Sequence, residues 1–189
     1  SSDNTVRVAQ DLGMRVVSSP PGRGSQLNRG AEAARGDIFF FLHCDTIPPP
    51  TFPEHIRSIL AQPGIAAGAF RFEVDAQGPL FRAIEWGVRL RNTLMGAVYG
   101  DQGIFTTREV FEKLGGFPEQ PLLEDYEFMR RVRRHGTIGI APAGVRISPR
   151  RWHAQGPLRT TMINQLLILG YHLGISPKKL AAFYYSRRY

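Results

Sequence analysis

A chain of 189 residues is long enough to bury a proper core as one globular domain, and its 42% hydrophobic and 21% charged composition is that of an ordinary soluble protein. No apolar run approaches the roughly 20 residues that span a bilayer, residues 1–10 lack the apolar stretch of a signal peptide, and the single cysteine, Cys44, excludes an internal disulfide or a multi-cysteine zinc site. The net charge of +8, with arginine far outnumbering lysine, favours anionic partners: nucleic acid, a membrane surface or phosphorylated small molecules.

In chain order, the polar turn Ser1-Ser2-Asp3-Asn4 can cap a short helix over 5–11 through Ser or Asp. A strand is predicted at 15–18, a proline and glycine loop at 20–22, and a small-residue helix over about 25–34 ended by Gly36. The run 37–42, DIFFFL, is continuously apolar after its first residue and reads as a central parallel strand covered on both faces. A proline cluster at 48–50, a helix over about 53–61 and a strand over 65–74 follow. This alternation predicts an α/β sheet of βαβ units. The second half is less regular: a helix over 79–95, a loop and strand over 99–106, a helix over 108–114, a charged helix over 124–135, short strands near Ile138 and Val145, and two carboxy-terminal helices.

Four clusters carry candidate chemistry. His43-Cys44-Asp45 closes the apolar strand, where open α/β sheets place their ligands. Asp45 suits a hard divalent cation, which needs only one or two protein carboxylates beside water and substrate phosphates; it equally suits the cap of the following turn. Gly100-Asp101-Gln102-Gly103 fits a loop that touches substrate, or a plain β-turn into the next strand. The acidic start Glu124-Asp125-Tyr126-Glu127 and basic end of the helix over 124–135 complement its dipole, yet a carboxylate oriented at a helix start is also a candidate general base. Arg150-Arg151-Trp152-His153, with Arg23 in the early loop, could grip phosphate or form a solvated basic surface, and His153 could bind metal or phosphate.

Taken together, Ser-Ser-Asp-Asn-Thr, Gly-Arg-Gly with Gln26-Leu27-Asn28, the apolar strand ending His-x-Asp, GDQG, Leu-Glu-Asp-Tyr-Glu and Arg-Arg-Trp resemble, in this order, the family 2 glycosyltransferases. More narrowly they resemble a small bacterial branch associated with radical-SAM and selenoprotein-like domains, some of whose members are linked to arsenosugar biosynthesis. The resemblance covers nearly the whole chain. It implies a GT-A fold, a mixed α/β sheet flanked by helices, with a donor-binding half over about 1–75 joined without a linker to an acceptor-binding half over about 76–189.

The resemblance also implies roles. Asp45 closes a DxD-like motif and holds Mg²⁺ or Mn²⁺ against the diphosphate of a nucleotide-sugar donor; His43 stands where the family has its first acid, so His43 and His153 are secondary candidates for the metal. Asp125 is the implied catalytic base, supported by Glu124. The Gly100, Asp101, Gln102 and Gly103 loop lies near donor sugar and acceptor, Arg23 approaches the nucleotide, and Arg150, Arg151 and Trp152 close over the diphosphate or the acceptor from the carboxy-terminal side. The implied reaction is single displacement with inversion, in which Asp125 takes a proton from an acceptor hydroxyl. Family members begin with an apolar strand and a Val-Asp-Gly-Gly segment ahead of the equivalent of Ser1-Ser2-Asp3, so the sequence reads as amino-terminally truncated.

Two other readings stand beside this one. A nucleotidyltransferase acting on a sugar phosphate uses a similar sheet and metal. A binding module for an anionic surface would use the arginine excess; no continuous basic segment interleaved with aromatics supports nucleic acid as the partner. Lys178-Lys179 to Arg187-Arg188-Tyr189, with Phe183, Tyr184 and Tyr185 between, supports peripheral membrane contact of an otherwise cytoplasmic protein.

Overall fold

The computed structural model describes residues 3–186; Ser1, Ser2 and the tail from Arg187 to Tyr189 lie outside that range. Five strands form one mixed sheet in the order β1-β4-β3-β5-β2, with β1 Ile38–Phe41, β2 Thr46–Ile47, β3 Ile65–Val74, β4 Ile104–Thr107 and β5 Thr137–Ile147. β3 and β5 run parallel, while β1 with β4, β4 with β3, and β2 with β5 are antiparallel. The helices are α1 Thr5–Asp11, α2 Arg23–Ala33, α3 Phe52–Leu60, α4 Pro79–Met95, α5 Arg108–Lys113, α6 Glu124–His135, α7 Arg150–Gln155, α8 Pro157–His172 and α9 Pro177–Ser186.

Side-chain alternation divides the core between the two faces of the sheet. Phe39, Ala67, Ala69 and Ile104 pack with Phe111, Phe128 and Val132 under α5 and α6. Phe40, Phe70 and Phe105 face the other way, with Ile56 and Ile59 of α3. Gly68 is required by this packing: a Cβ there would lie 2.2 Å from the Phe105 ring. A third cluster sets Trp152 edge-on against Phe72, 5.9 Å between ring centroids, alongside Phe81 and Ile147. A fourth joins Ile163, Leu167 and Leu180 of α8 and α9 to Leu122 and Leu123 at the entry to α6.

Several expectations are corrected. Residues 15–18 form no strand; among the described residues nothing pairs with them, and Val16 and Val17 stay exposed. The apolar run at 38–41 is antiparallel to β4 and ends the strand order, rather than being a central parallel strand. It is apolar because its alternate side chains enter the two separate cores. The short strands near Ile138 and Val145 are one strand, β5, which absorbs Pro142 through a register shift opposite Ala69 and Arg71. The carboxy-terminal segment holds three helices, since Gly156 at φ 79° divides α7 from α8. The cap of α1 is only partly as expected: Asp3 Oδ1 accepts from Thr5 N at 3.1 Å, but the residue at the cap is Asn4, whose side chain makes no capping bond.

Candidate active site

The antiparallel pairing of β1 and β4 builds the site. Phe41, the last residue of β1, is registered with Ile104, the first of β4, so His43 beyond β1 and the 3-10 turn Gly100–Gln102 ahead of β4 emerge at the same end of the sheet. The amino terminus of α6 brings Glu124 and Asp125 to this point, and the first residue of α2 brings Arg23.

Arg23 is the hub. Its Nη2 donates to Asp125 Oδ2 at 3.2 Å and to His43 Nε2, and its Nε lies 2.9 Å from Glu124 Oε1. The Nε–H is not aimed at that oxygen, so the contact is an ion pair and Oε1 accepts no hydrogen bond. Asp125 Oδ2 also accepts from Gly100 N at 2.7 Å, and Oδ1 accepts from Tyr126 N at 2.8 Å. Gly100 is the residue the cluster needs, because a Cβ there would sit 2.7 Å from both Arg23 Nη2 and Asp125 Oδ2 and 3.0 Å from His43 Nε2.

Charge in this cluster is tuned by burial and proximity. Glu124, 2% exposed, has its carboxyl pushed up by burial and by Asp125 beside it, with Arg23 opposing. Burial and then Arg23 push the His43 imidazole down to about 4, with Asp125 and Asp45 opposing, so it is neutral at pH 7. A guanidinium only donates. His43 Nε2 therefore accepts, the proton sits on Nδ1, and the lone pair that would reach a cation is already in use. Burial works against the charge on Arg23, but Asp125, Glu124 and Asp101 outweigh it and hold the guanidinium firmly protonated.

Asp45 lies on an adjoining rim. It is exposed, and its carbonyl accepts from Ser148 N at 3.0 Å, tying it to the end of β5. Arg150, also exposed, donates from Nε to Ser148 Oγ at 3.2 Å, so Asp45 and Arg150 share this rim. Among the described residues no three His, Cys, Asp or Glu side chains converge as a metal cage. Mg²⁺ and Mn²⁺ sites that lean on substrate phosphates do not need one, and a solvent-facing Asp45 fits that manner of binding.

Other sequence candidates have different surroundings. Gln102 is fully buried; Nε2 donates to Phe70 O at 3.0 Å and Oε1 accepts from Arg91 Nη2 at 3.1 Å, so both ends of its amide bind the scaffold. Gly103, at φ 64°, lies where a Cβ would press on the Phe40 ring. Trp152 belongs to the core cluster with Phe72, and His153 is exposed with its ring edge towards Phe81, 5.8 Å between centroids. Arg151 falls within α7, and its side chain lies outside the described residues.

Residues that spacing did not single out complete the setting. Arg91 of α4 stacks 3.7 Å over the Tyr99 ring and donates from Nε to Ala97 O at 2.9 Å, bracing the segment that leads to Gly100. On the far side of α6, Tyr171 of α8 donates to Glu127 Oε2, and the Tyr126 hydroxyl bonds His172 Nε2, both at 2.6 Å. The resemblance of α8 to a plain apolar helix hid these links, which join residues more than 40 positions apart.

Comparison with known proteins places the chain in a family and a fold. The sequence model of glycosyl transferase family 2 matches residues 1–116, well over half of the chain. No curated protein sequence matches. Among solved structures, the mannosyltransferase PcManGT from Pyrobaculum calidifontis, in complex with GDP-Man and Mn²⁺, superposes with a TM-score of 0.61 at 21% identity over 78% of this chain. Glucosyl-3-phosphoglycerate synthase from Mycobacterium tuberculosis, in complex with Mn²⁺, UDP-glucose and phosphoglyceric acid, superposes with a TM-score of 0.55 at 22% identity over 93%. The chain spans 44% of the first structure and 66% of the second. With its mixed sheet flanked by helices, this chain has the GT-A fold and belongs to glycosyl transferase family 2.

Proposed function

We propose that the protein is a metal-dependent inverting glycosyltransferase that moves a sugar from a nucleotide-diphosphate donor to an acceptor hydroxyl. The observation that carries this reading is the Asp125 carboxylate, held at the carboxyl end of the β1 strand by Gly100 N and Arg23. Asp125 Oδ2 already accepts two hydrogen bonds, whereas Oδ1 accepts, among the described residues, only that of Tyr126 N. The acceptor proton therefore goes to Oδ1. As it does, the acceptor oxygen attacks the anomeric carbon, the bond to the donor phosphate breaks with its electron pair leaving on the nucleoside diphosphate, and the configuration inverts. A general base of this kind contributes roughly a hundred- to ten-thousand-fold.

Glu124 and Asp125 are adjacent acids that Arg23 bridges by direct ion pairs of 2.9 and 3.2 Å, which holds the base in one orientation. Asp45 would hold the Mg²⁺ or Mn²⁺, and that ion, when bound, would screen the charge of the departing diphosphate. Arg150 on the same rim would grip phosphate oxygens. In this reading the donor half, about 1–75, supplies Arg23, His43 and Asp45, the acceptor half supplies Gly100, Glu124 and Asp125, and the reaction takes place at their junction. The two solved structures named above were captured with Mn²⁺ and either GDP-Man or UDP-glucose, which supports a purine or pyrimidine nucleotide-sugar as the donor class.

The test has two parts. Thermal shift with GDP or UDP in the presence of Mn²⁺ identifies the nucleotide, because a ligand that binds only the folded state raises its stability. Asp125→Asn should then keep that shift while turnover of the matching nucleotide-sugar disappears. Near-normal turnover in the Asn variant would remove Asp125 from the role of base, and release of pyrophosphate in place of a nucleoside diphosphate would point to nucleotidyl transfer.

A further inference from the structure

The charge of this protein is strongly uneven. All 16 acidic residues lie before Gly136, while eight of the 24 lysines and arginines follow it, so the whole net charge of +8 belongs to the carboxy-terminal segment that carries α7, α8 and α9. That segment also exposes apolar surface, as residues 6–17 do with Val8, Leu12 and Met14. Leu158, Met162, Leu166, Leu169 and Leu173 recur at steps of four, four, three and four, and therefore form one stripe on α8. They are 74%, 58%, 48%, 56% and 73% exposed. The opposite face of α8, with Ile163 and Leu167, is packed against Leu180 of α9, so α8 is apolar on two sides and, among the described residues, only one of them is covered.

Neighbouring elements also expose apolar and basic residues. α4 packs on α8 and carries its own exposed stripe of Trp86, Leu90 and Leu94, with exposed Arg89 beside it. α9 exposes Lys178 and Lys179 together with Phe183 and Tyr185. Apolar stripes of this size are rare on a free protein surface. Cations without a single acid in α8 or α9, an exposed tryptophan and leucines at helical spacing fit the headgroup region of an anionic bilayer, where the apolar stripe enters the acyl boundary and the lysines meet phosphate. None of the helices in the described residues is long and apolar enough to cross a membrane, so the contact is with the surface.

We propose that α8, with the adjoining faces of α4 and α9, docks the protein onto an anionic membrane surface. The docked helix is bonded through Tyr171 and His172 to Glu127 and Tyr126 of α6, so docking fixes the orientation of the Asp125 end of α6 relative to the bilayer. The inference does not depend on the glycosyltransfer reading, and the experiment below measures no turnover, so the two fail separately.

The experiment is co-sedimentation of the chain with phosphatidylcholine vesicles, with and without phosphatidylglycerol at about a third of the lipid. Binding is expected only with phosphatidylglycerol, and it should weaken as salt is raised. Lys178→Gln/Lys179→Gln should lower the partition coefficient by roughly 30-fold, given the usual contribution of each cation near an anionic surface. Leu158→Gln/Leu169→Gln/Leu173→Gln should abolish binding, with circular dichroism unchanged because all three side chains are exposed. Equal binding to pure phosphatidylcholine, or undiminished binding by the triple leucine variant, would overturn the proposal. So would a dimer in solution that the triple leucine variant turns into a monomer without any lipid binding, since a second copy would then be the occupant of this face.

Discussion

The backbone amide of Gly100 donates a 2.7 Å hydrogen bond to Oδ2 of Asp125, and no side chain at position 100 is compatible with that contact. A methyl group would lie 2.7 Å from the carboxylate and from Arg23 Nη2. Gly100→Ala should therefore displace Asp125 by a fraction of an ångström or more and, with Asp125 as the base we propose, lower kcat about a hundredfold, the cost usual for misplacing a catalytic group. Thermal unfolding should change little, since the clash is with the ends of side chains that can shift. A variant with normal kcat would show that the Gly100 contact does not orient the base.

Arg23 is the one cation within hydrogen-bonding distance of both Glu124 and Asp125 among the described residues. Arg23→Met leaves a buried Glu124 beside Asp125 with no counter-charge, which should cost about 2 kcal/mol once the half-exposed position of Arg23 is allowed for. The sign of the pH dependence follows from Glu124, whose carboxyl is pushed up by burial and by Asp125. A folded-state pKa above the unfolded value means that the native state binds more protons, so stability falls as pH rises through that range. Removing Arg23 pushes Glu124 further in this direction. The deficit of the variant should be present at pH 7 and should shrink at pH 4.5 in urea melts; a deficit equal at both would locate the role of Arg23 elsewhere.

How much of this was legible depends on sequence distance. The periods of α3, α4 and α6, and the alternation in β3, are local signals, and the predicted bounds of these elements lie within a residue or so of those observed. The run at 37–42 is apolar in either kind of pairing, so its antiparallel bond to β4 could not be read from it. Asp125 and Glu124 stood out as adjacent acids after two leucines. Their partner Arg23 lies about 100 positions upstream, and nothing local in Gly22-Arg23-Gly24 announces the ion pairs. Trp152 beside two arginines is implied by the resemblance to close over the diphosphate or the acceptor, yet its indole is buried in the core with Phe72 and Phe81.

Glu127 anchors α8 to α6. Burial acts to raise its pKa, but hydrogen bonds from Arg130 and Tyr171 outweigh this and hold the carboxyl below the usual range, while burial and the bond to Glu127 push the Tyr171 phenol up to about 12. Tyr171→Phe removes one hydrogen bond to a charged acceptor and should cost about 1.5 to 3 kcal/mol at pH 7. A depressed carboxylate stabilises the fold above its unfolded pKa, and that stabilisation is lost as pH falls through the folded value. The gap between wild type and Tyr171→Phe should accordingly close under acid conditions. Chemical denaturation at pH 7 and pH 3.5 reads both gaps, and a gap that widened in acid would contradict the charge assignment of Glu127.

Leu123 precedes the two acids at φ 63°, and it is the only residue other than glycine in the left-handed region among those described. An ordinary side chain pays roughly 1 kcal/mol or more for that conformation, and the Leu123 side chain offsets it by packing with Leu122, Ile163, Leu167 and Leu180. Two substitutions separate these contributions. Leu123→Ala loses the packing and keeps the strain, whereas Leu123→Gly loses the packing and the strain together. Glycine is the more destabilising replacement inside a helix, but Leu123 is the cap of α6 and left-handed, so Leu123→Gly should be more stable than Leu123→Ala by about 1 kcal/mol. Both should lower kcat, because the left-handed turn aims the first residues of α6, and so Asp125, at Gly100. If alanine proved the more stable of the two, the turn would carry no strain and the packing of α8 and α9 would be unnecessary to hold it.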